Sequence, residues 1–123
     1  MVHPADDRFP KSARLRKRAE YLSVQGQGRK LQTRAYLALA LEREDDGVRL
    51  GITTSRRLGG AVVRNRARRL VREAFRRGVL AVPPGTDLIV IPKAAALCLT
   101  AAQLFRDLQD LGRRLERARG RRS

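Results

Sequence analysis

Two stretches in the first half of the chain alternate between apolar and polar or small residues, as the two faces of a β-strand do. In residues 35–42 the leucines share one face, and Tyr36 and two alanines share the other. Such an Ala/Leu run is also compatible with a helix. A strand is favoured because Asp45-Asp46-Gly47 follows as a turn and alternation resumes from Val48. The pattern therefore predicts a β-hairpin.

Apolar residues recur at helical spacing in three other stretches. The first predicted helix spans residues 18 to about 25 and is ended by Gly26 and Gly28. The second has the most regular spacing, begins after Gly59-Gly60 and continues to Gly78, which can cap its C-terminus. We expect this second helix to pack through its apolar side.

The C-terminal half adds one strand and one helix. Residues 87–91, Asp-Leu-Ile-Val-Ile, are an almost wholly apolar run after the Pro83-Pro84-Gly85 turn, which is typical of a central strand covered on both faces and ended by Pro92. Thr100 is the expected N-cap of the last helix. The apolar stripe of that helix consists of Leu104, Leu108, Leu111 and Leu115. This order of elements predicts an α+β fold, a helix-sheet sandwich around a mixed sheet.

The chain ends differ from its middle. We expect a flexible N-terminal segment over residues 1–13, one domain over residues 14–116 and a basic C-terminal tail over residues 117–123. The N-terminal residues do not resemble a signal peptide, and no run approaches the ~18 apolar residues of a membrane span. The single cysteine, Cys98, cannot form an internal disulfide. These features predict a soluble, cytoplasmic protein without a membrane partner.

The net charge of the chain indicates which class of molecule it binds. Of the 28 basic residues 24 are arginines, against 12 acids, and the formal net charge is +16. Self-repulsion of this size destabilises a compact state unless a polyanion neutralises it, and guanidinium groups bind phosphate in two places. A GC-rich genome would also favour Arg over Lys, but it does not explain the net charge. Nucleic acid is the expected partner.

The second predicted helix carries the densest charge. Opposite its apolar arc lie Asn65, Arg68, Arg69, Arg72 and Arg76. A solvated charged face is the ordinary alternative, but such faces mix signs, whereas Gly47 to Thr86 contains ten arginines and one acid, Glu73. Arg64 and Arg66 also lie where the helix dipole disfavours cations. A phosphate bound at the start of this helix would explain both observations.

Residues 60–75, Gly-Ala-Val-Val-Arg-Asn-Arg-Ala-Arg-Arg-Leu-Val-Arg-Glu-Ala-Phe, resemble the RNR signature of the family of protein subunits of bacterial ribonuclease P. Residues 14–17, 20–21, 51–59 and 87–91 are similar to flanking segments of that family, and the resemblance covers about residues 14–112. It implies a two-layer α+β sandwich with the order α-β-β-β-α-β-α. It also implies a left-handed βαβ crossover, a hand found in only ~2% of such units.

Members of this family assist a catalytic RNA that removes the 5′ leader from precursor tRNA by endonucleolytic cleavage. The resemblance therefore implies a role in tRNA 5′-end maturation, with the catalytic RNA and precursor tRNA as partners and one protein per RNA. Magnesium would be held mainly by the RNA, and no metal-binding residue of the protein is identified. Matching positions imply catalytic-RNA contacts by Arg64, Asn65, Arg66, Arg68, Arg69 and Arg72. Arg56 and Arg57 would border that surface.

The family also has a cleft between the first helix and the sheet, where aromatic residues hold the single-stranded leader. Tyr21 and Tyr36 match aromatic positions of this cleft. Gln25 and Leu39 stand where many relatives carry aromatic residues, so leader binding is expected to depend more on charge and on the remaining tyrosines. The alternative for both tyrosines is ordinary half-buried packing with the hydroxyl at the surface.

No catalytic residue is expected in the protein itself. The only histidine, His3, lies in the N-terminal segment, Cys98 has apolar neighbours, and the sequence contains no clustered acids and no P-loop. A self-sufficient endonuclease is therefore disfavoured. A ribosomal or assembly protein would share the size, charge and basic tail, and is the alternative from a different functional class.

Overall fold

The structure is a computed structural model in which residues 14, 15 and 17–120 are described. Within these residues the helices and strands follow the expected order α-β-β-β-α-β-α. They are α1 (Arg18–Gln27), β1 (Arg29–Gln32), β2 (Tyr36–Glu42), β3 (Val48–Ile52), α2 (Ala61–Arg76), β4 (Thr86–Pro92) and α3 (Ala101–Gly120). Two short 3-10 turns, Arg56–Leu58 and Ala94–Cys98, precede α2 and α3.

The strands form one mixed sheet in the order β1-β2-β4-β3. β2 is antiparallel to β1 and to β4, whereas β3 is parallel to β4, so β3, α2 and β4 make a βαβ unit. The predicted hairpin of β2 with β3 is therefore wrong, because β4 lies between them. The predicted turn does form, since the N–H of Gly47 donates to Oδ1 of Asp45 at 2.9 Å. A buried apolar strand such as β4 needs a neighbour on each edge for its backbone groups, and β2 and β3 occupy those edges.

Two apolar clusters hold the helices on opposite faces of the sheet. On one face, α2 and α3 pack over a cluster that includes Tyr36, Leu88 and Leu111. On the other face, Val24 of α1 packs with Ile89. Leu88 and Ile89 are both 0% exposed, which confirms β4 as a central strand covered on both faces. Since α1 is the one helix on its face among the described residues, it adds a partial third layer to the predicted two-layer sandwich.

Glycines mark the ends of the first two helices. α1 continues through Gly26, where its end was predicted, and stops at Gly28, whose N–H donates to the carbonyl oxygen of Val24 at 2.7 Å. A Cβ at Gly28 would lie 2.3 Å from that oxygen, so a side chain does not fit. A glycine inside a helix costs about 1 kcal/mol, and burial of Val24 offsets this cost. Gly78, with φ 78°, follows α2 and confirms its predicted end.

α3 begins with the predicted cap. The N–H of Gln103 donates to Oγ1 of Thr100 at 3.2 Å, and the N–H of Thr100 donates to Oε1 of Gln103 at 2.9 Å. The leucine stripe is buried at positions 108, 111 and 115, as expected. α3 continues to Gly120, so the start of the predicted basic tail is helical. Residues 121–123 and the predicted flexible segment 1–13 lie outside the described residues.

Candidate nucleic-acid interface

α2 presents its apolar side to the core and an arginine-rich side to solvent. Val71 and Ala74 are 0% exposed and fix the helix against the sheet and α3. The other side carries the signature residues, which we call the arginine face: Arg64, Asn65, Arg66, Arg68, Arg69 and Arg72. Arg64 and Arg68 are half-buried and the other four residues are exposed. All six side chains predicted to contact RNA are therefore at least partly accessible to solvent.

The arginine face has no acidic partners in the described part of the chain. The only acid of α2, Glu73, forms ion pairs with Arg76 and Arg77 at the end of the helix. The hydrogen bond from Arg76, with help from the Arg77 charge, holds the pKa of Glu73 below its ordinary value. Arg68 instead donates to Oδ1 of Asn65 at 3.1 Å. The positive charge of this face is thus available to an external anion.

Arg72 shows the repulsion within this surface. Burial lowers the pKa of Arg72, and the charges of Arg14 and Arg68 lower it further. The guanidinium group stays protonated at neutral pH, so the neighbouring charges raise the energy of the folded protein until an anion neutralises them. Arg14 pairs with Leu50 at the edge of β3 and was not among the predicted site residues. Its sequence signals were the basic residues at positions 14 and 16–18 and the family-like segment 14–17.

Two further arginines border the start of α2, as the sequence predicted. Arg56 and Arg57 are exposed on a 3-10 turn that is anchored by Leu58, which is 5% exposed. Gly59 follows with φ 146°, a conformation that side chains disfavour, and so directs the chain into α2. Arg57 also lines a groove of about 270 Å³ together with Lys93. Cationic side chains therefore continue from α2 around the end of the sheet.

A second surface lies between α1 and the sheet, and we call it the Tyr21 surface: Tyr21, Gln25 and Leu39. The half-buried Tyr21 ring lies over Gly51 of β3, where a Cβ would be 2.7 Å from the hydroxyl oxygen and 2.9 Å from two ring carbons. Leu39 packs in the same apolar cluster as Tyr21. Gln25 is exposed one helical turn beyond Tyr21. The missing side chain at Gly51 is therefore what makes room for the ring.

The Tyr21 surface adjoins the arginine face. Burial raises the pKa of Tyr21, as does the Glu20 charge, whereas the charges of Arg68 and Arg72 lower it. Charge effects on an exposed or half-buried group are strong only at short range because water and salt screen them. The charges of Arg68 and Arg72 therefore act on the tyrosine, so one flank of the arginine face adjoins the Tyr21 surface.

Tyr36 does not belong to the Tyr21 surface. Its side chain is 2% exposed and packs on the opposite face of the sheet, under α2 and α3. Burial raises the pKa of Tyr36, and the nearby Asp107 raises it further. Tyr36 and Leu39 are an odd number of residues apart on β2, which places their side chains on opposite faces. The prediction that Tyr21 and Tyr36 share one cleft is wrong, and Tyr36 is a packing residue.

The described side chains limit the kinds of ligand that the protein can bind. No set of three or more His, Cys, Asp or Glu side chains among them is arranged to hold a metal ion. None of their helices is both long enough and apolar enough to cross a membrane. Together the two surfaces carry cationic, amide and aromatic side chains, which are the groups that contact phosphates and stack on bases.

Comparison with known proteins identifies relatives along nearly the whole chain. The family model described as Ribonuclease P matches residues 9–116. The ribonuclease P protein component of Desulforapulum autotrophicum is 38% identical over 112 residues, which are 91% of this chain and 96% of that protein. The protein component of Thermotoga maritima is 39% identical over 85 residues, which are 69% of this chain and 73% of that protein.

Solved structures agree with these relatives. The ribonuclease P protein from Thermotoga maritima superposes with a TM-score of 0.73 at 34% identity, covering 82% of this chain and 96% of that one. The ribonuclease P protein of Staphylococcus aureus superposes with a TM-score of 0.74 at 31% identity, covering 81% of this chain and 92% of that one. The likeness therefore extends from the sequence to the fold.

Proposed function

The chain belongs to the bacterial ribonuclease P protein family, and from this membership we propose a separate task for each of its two surfaces. The chain is a subunit of the ribonucleoprotein that processes tRNA, and it associates with the ribonuclease P RNA. The arginine face binds that catalytic RNA, and the Tyr21 surface binds the 5′ leader of precursor tRNA. Family membership decides against the ribosomal-protein alternative.

The observation that carries the first task is the exposed charge of α2 without acidic partners. Each arginine that contacts a phosphate releases counterions from the RNA, which makes binding favourable and dependent on salt. Arginines that already pair with an acid release fewer ions and contribute less. The arginine face is unpaired within the described residues, whereas Arg76 and Arg77 share Glu73. The part of α2 from residue 64 to residue 72 is therefore the part that binds RNA most strongly.

The second task is supported by the position of Tyr21. A half-buried ring can stack on a base while the positive charge beside it attracts the phosphates of the leader, and stacking contributes ~1–3 kcal/mol per base. Because Tyr36 is buried and Gln25 and Leu39 are not aromatic, Tyr21 is the one aromatic ring of this surface in the described residues. Leader binding therefore depends on one ring and on charge.

The cleavage chemistry belongs to the catalytic RNA, and magnesium ions held by that RNA supply it. The protein contributes positive charge that screens phosphate repulsion between the two RNAs, so less magnesium is needed. One protein binds one RNA, and the complex acts in the cytoplasm. The expected effect of the protein is thus greatest at low magnesium.

Reconstitution with a bacterial ribonuclease P RNA tests this function. The protein should increase cleavage of precursor tRNA at low magnesium, and the double variant Arg68→Ala/Arg69→Ala should lose most of that increase. The matched control is Arg113→Ala/Arg117→Ala, which removes the same charge from exposed positions of α3. No increase with the unchanged protein would refute the function. Equal losses in the two variants would refute the assignment of the arginine face.

A further inference from the structure

A buried carboxylate lies on the sheet face that α1 covers. The side chain of Asp87 on β4 is 3% exposed. Its oxygens accept hydrogen bonds from Nε and Nη2 of Arg49 on β3, at 2.8 Å and 2.7 Å. Nε of Arg43 lies 2.7 Å from the same carboxylate. Two charge-assisted bonds from one guanidinium fix that group in place, because the fork of arginine matches a carboxylate.

The remaining arm of Arg49 reaches α1. Its Nη1 donates to Oε2 of Glu20 in the first turn of the helix. The other oxygen of Glu20, Oε1, accepts the N–H of Lys17 at 3.0 Å and so closes that turn. A continuous chain of polar contacts therefore connects the central strand to the start of α1. We call Asp87, Arg49 and Glu20 the anchor.

α1 has few other contacts that set its orientation. Val24 is its only fully buried residue, and it lies in the second half of the helix. Leu22 is 51% exposed and adds little packing. In the first half of α1 the packed side chain is the half-buried Tyr21 itself, so the helix can rotate about Val24 unless its first turn has a polar second point of attachment. Glu20 provides that point, directly beside Tyr21.

The position of the Tyr21 ring is sensitive to such a tilt. The ring lies against Gly51 on one side, and the charges of Arg68 and Arg72 act on it. A small rotation of the first turn would lift the ring from Gly51 and separate it from the arginines. Both requirements for gripping a nucleotide, a stacking ring and nearby cations, would then be lost together.

We propose that Asp87, Arg49 and Glu20 are positioning residues that hold the Tyr21 ring in the orientation that stacks on the precursor leader. None of the three needs to touch the RNA. The inference rests on the proposed leader contact of Tyr21. It also explains why charged residues, and not apolar ones, lie between the sheet and the first turn of α1. An apolar replacement would pack, but it would not connect the sheet to the first turn of α1.

The experiment measures the leader contribution, defined as the affinity of the reconstituted holoenzyme for precursor tRNA divided by its affinity for mature tRNA. Glu20→Gln is the test variant, because glutamine still accepts the Lys17 N–H but loses the charge that binds Arg49. Asp87 is not a suitable test position, since removing a buried charge from its partners destabilises the whole fold. Tyr21→Ala and the double variant Glu20→Gln/Tyr21→Ala complete a double-mutant cycle.

Tyr21→Ala should lower the leader contribution by roughly 5- to 150-fold, the range expected for one lost stacking contact. Glu20→Gln should lower it by at least about threefold, a change well above assay error. In the Tyr21→Ala background, Glu20→Gln should have no further effect, because there is no ring left to position. Affinity for the catalytic RNA alone should stay the same in all three variants.

Asp107→Asn is the control for a merely structural effect. Asp107 accepts hydrogen bonds from Oγ1 of Thr33 at 2.5 Å and from the N–H of Ala35 at 3.0 Å, and its helix α3 covers the other face of the sheet. This variant should lower the melting temperature and leave the leader contribution unchanged. If it reduces the leader contribution as much as Glu20→Gln does, the anchor has no special role.

The outcomes separate this inference from the function on which it rests. If Tyr21→Ala leaves the leader contribution unchanged, the proposed leader contact is wrong and the inference falls with it. If Tyr21→Ala lowers the leader contribution but Glu20→Gln does not, the leader contact stands and the positioning role is refuted. The same conclusion follows if the two effects multiply in the double variant.

Discussion

Replacing Arg68 with alanine should weaken RNA binding without weakening the fold. Arg68 and Arg72 are four residues apart on α2, and such a like-charge pair destabilises a helix by about 0.2–0.5 kcal/mol. The charge of Arg68 also lowers the pKa of Arg72, in keeping with that repulsion. The bond that Arg68 donates to Asn65 is exposed and contributes little. The free energy of unfolding should therefore stay the same or rise by a few tenths of a kcal/mol.

RNA binding should change in the opposite direction. One lost phosphate contact lowers the slope of log affinity against log salt concentration by about one. Between 50 and 200 mM salt, a slope difference of about one changes the relative affinity roughly fourfold, so the defect is largest at low salt. The assays are urea unfolding of the free protein and titration of labelled catalytic RNA at several salt concentrations.

Arg77→Ala, at the C-cap of the same helix, is the matched control. Arg77 is exposed and lies 2.9 Å from Glu73, so its charge is already partly neutralised. Its removal should change the salt slope by clearly less than one. An unchanged slope in Arg68→Ala, or equal slopes in the two variants, would contradict the distinction between paired and unpaired arginines. A large loss of stability in Arg68→Ala would contradict the repulsion argument.

Three further predictions follow from single contacts. Gly51→Ala places a methyl group under 3.0 Å from the Tyr21 ring and should reduce discrimination between precursor and mature tRNA; undiminished discrimination in a folded variant would count against the leader contact. Tyr36→Ala should cost about 3–5 kcal/mol in urea unfolding, as truncation of a buried aromatic does, and a loss below 1 kcal/mol would contradict its burial. The pKa of Glu73 is lowered by its two arginines, so the stabilisation is present above the unfolded pKa and disappears as the pH falls through the lower folded pKa. Glu73→Gln should therefore remove part of the acid-induced loss of stability, and acid unfolding curves identical to those of the unchanged protein would argue against these ion pairs.

Features with a local signal could be predicted from the sequence. The spacing of apolar residues in α2 and α3 depends only on chain neighbours, and Gly78 and Thr100 mark helix ends by their own chemistry. The arginine face was predictable for the same reason, because the residue types and the helical period that define it depend only on residues close together in the chain. The order of β3 and β4 was not, because a hairpin and a crossover begin with the same alternation and turn.

The remaining parts of the site depend on contacts between distant residues. Arg49 is 38 residues from Asp87 and 29 residues from Glu20, and no spacing rule connects them. The wrong prediction that Tyr36 lies in the cleft has a different cause. Tyr36 matches an aromatic position of the family, but the alternation of side chains along β2 places it on the sheet face opposite to that of Leu39. The alternation along β2 alone therefore excludes Tyr36 from the face that carries Leu39.

The assignment of two RNAs to two surfaces can be tested by cleavage from a tethered probe. In a Cys98→Ser background, which removes the exposed native thiol, a single cysteine is introduced by Arg69→Cys, Gln25→Cys or Arg113→Cys and carries an iron chelate that cuts nearby RNA. In the assembled complex, the probe at residue 69 should cut the catalytic RNA and the probe at residue 25 should cut the precursor leader. Cleavage of the catalytic RNA from residue 113 and not from residue 69, or of the leader from residue 69 and not from residue 25, would contradict the assignment.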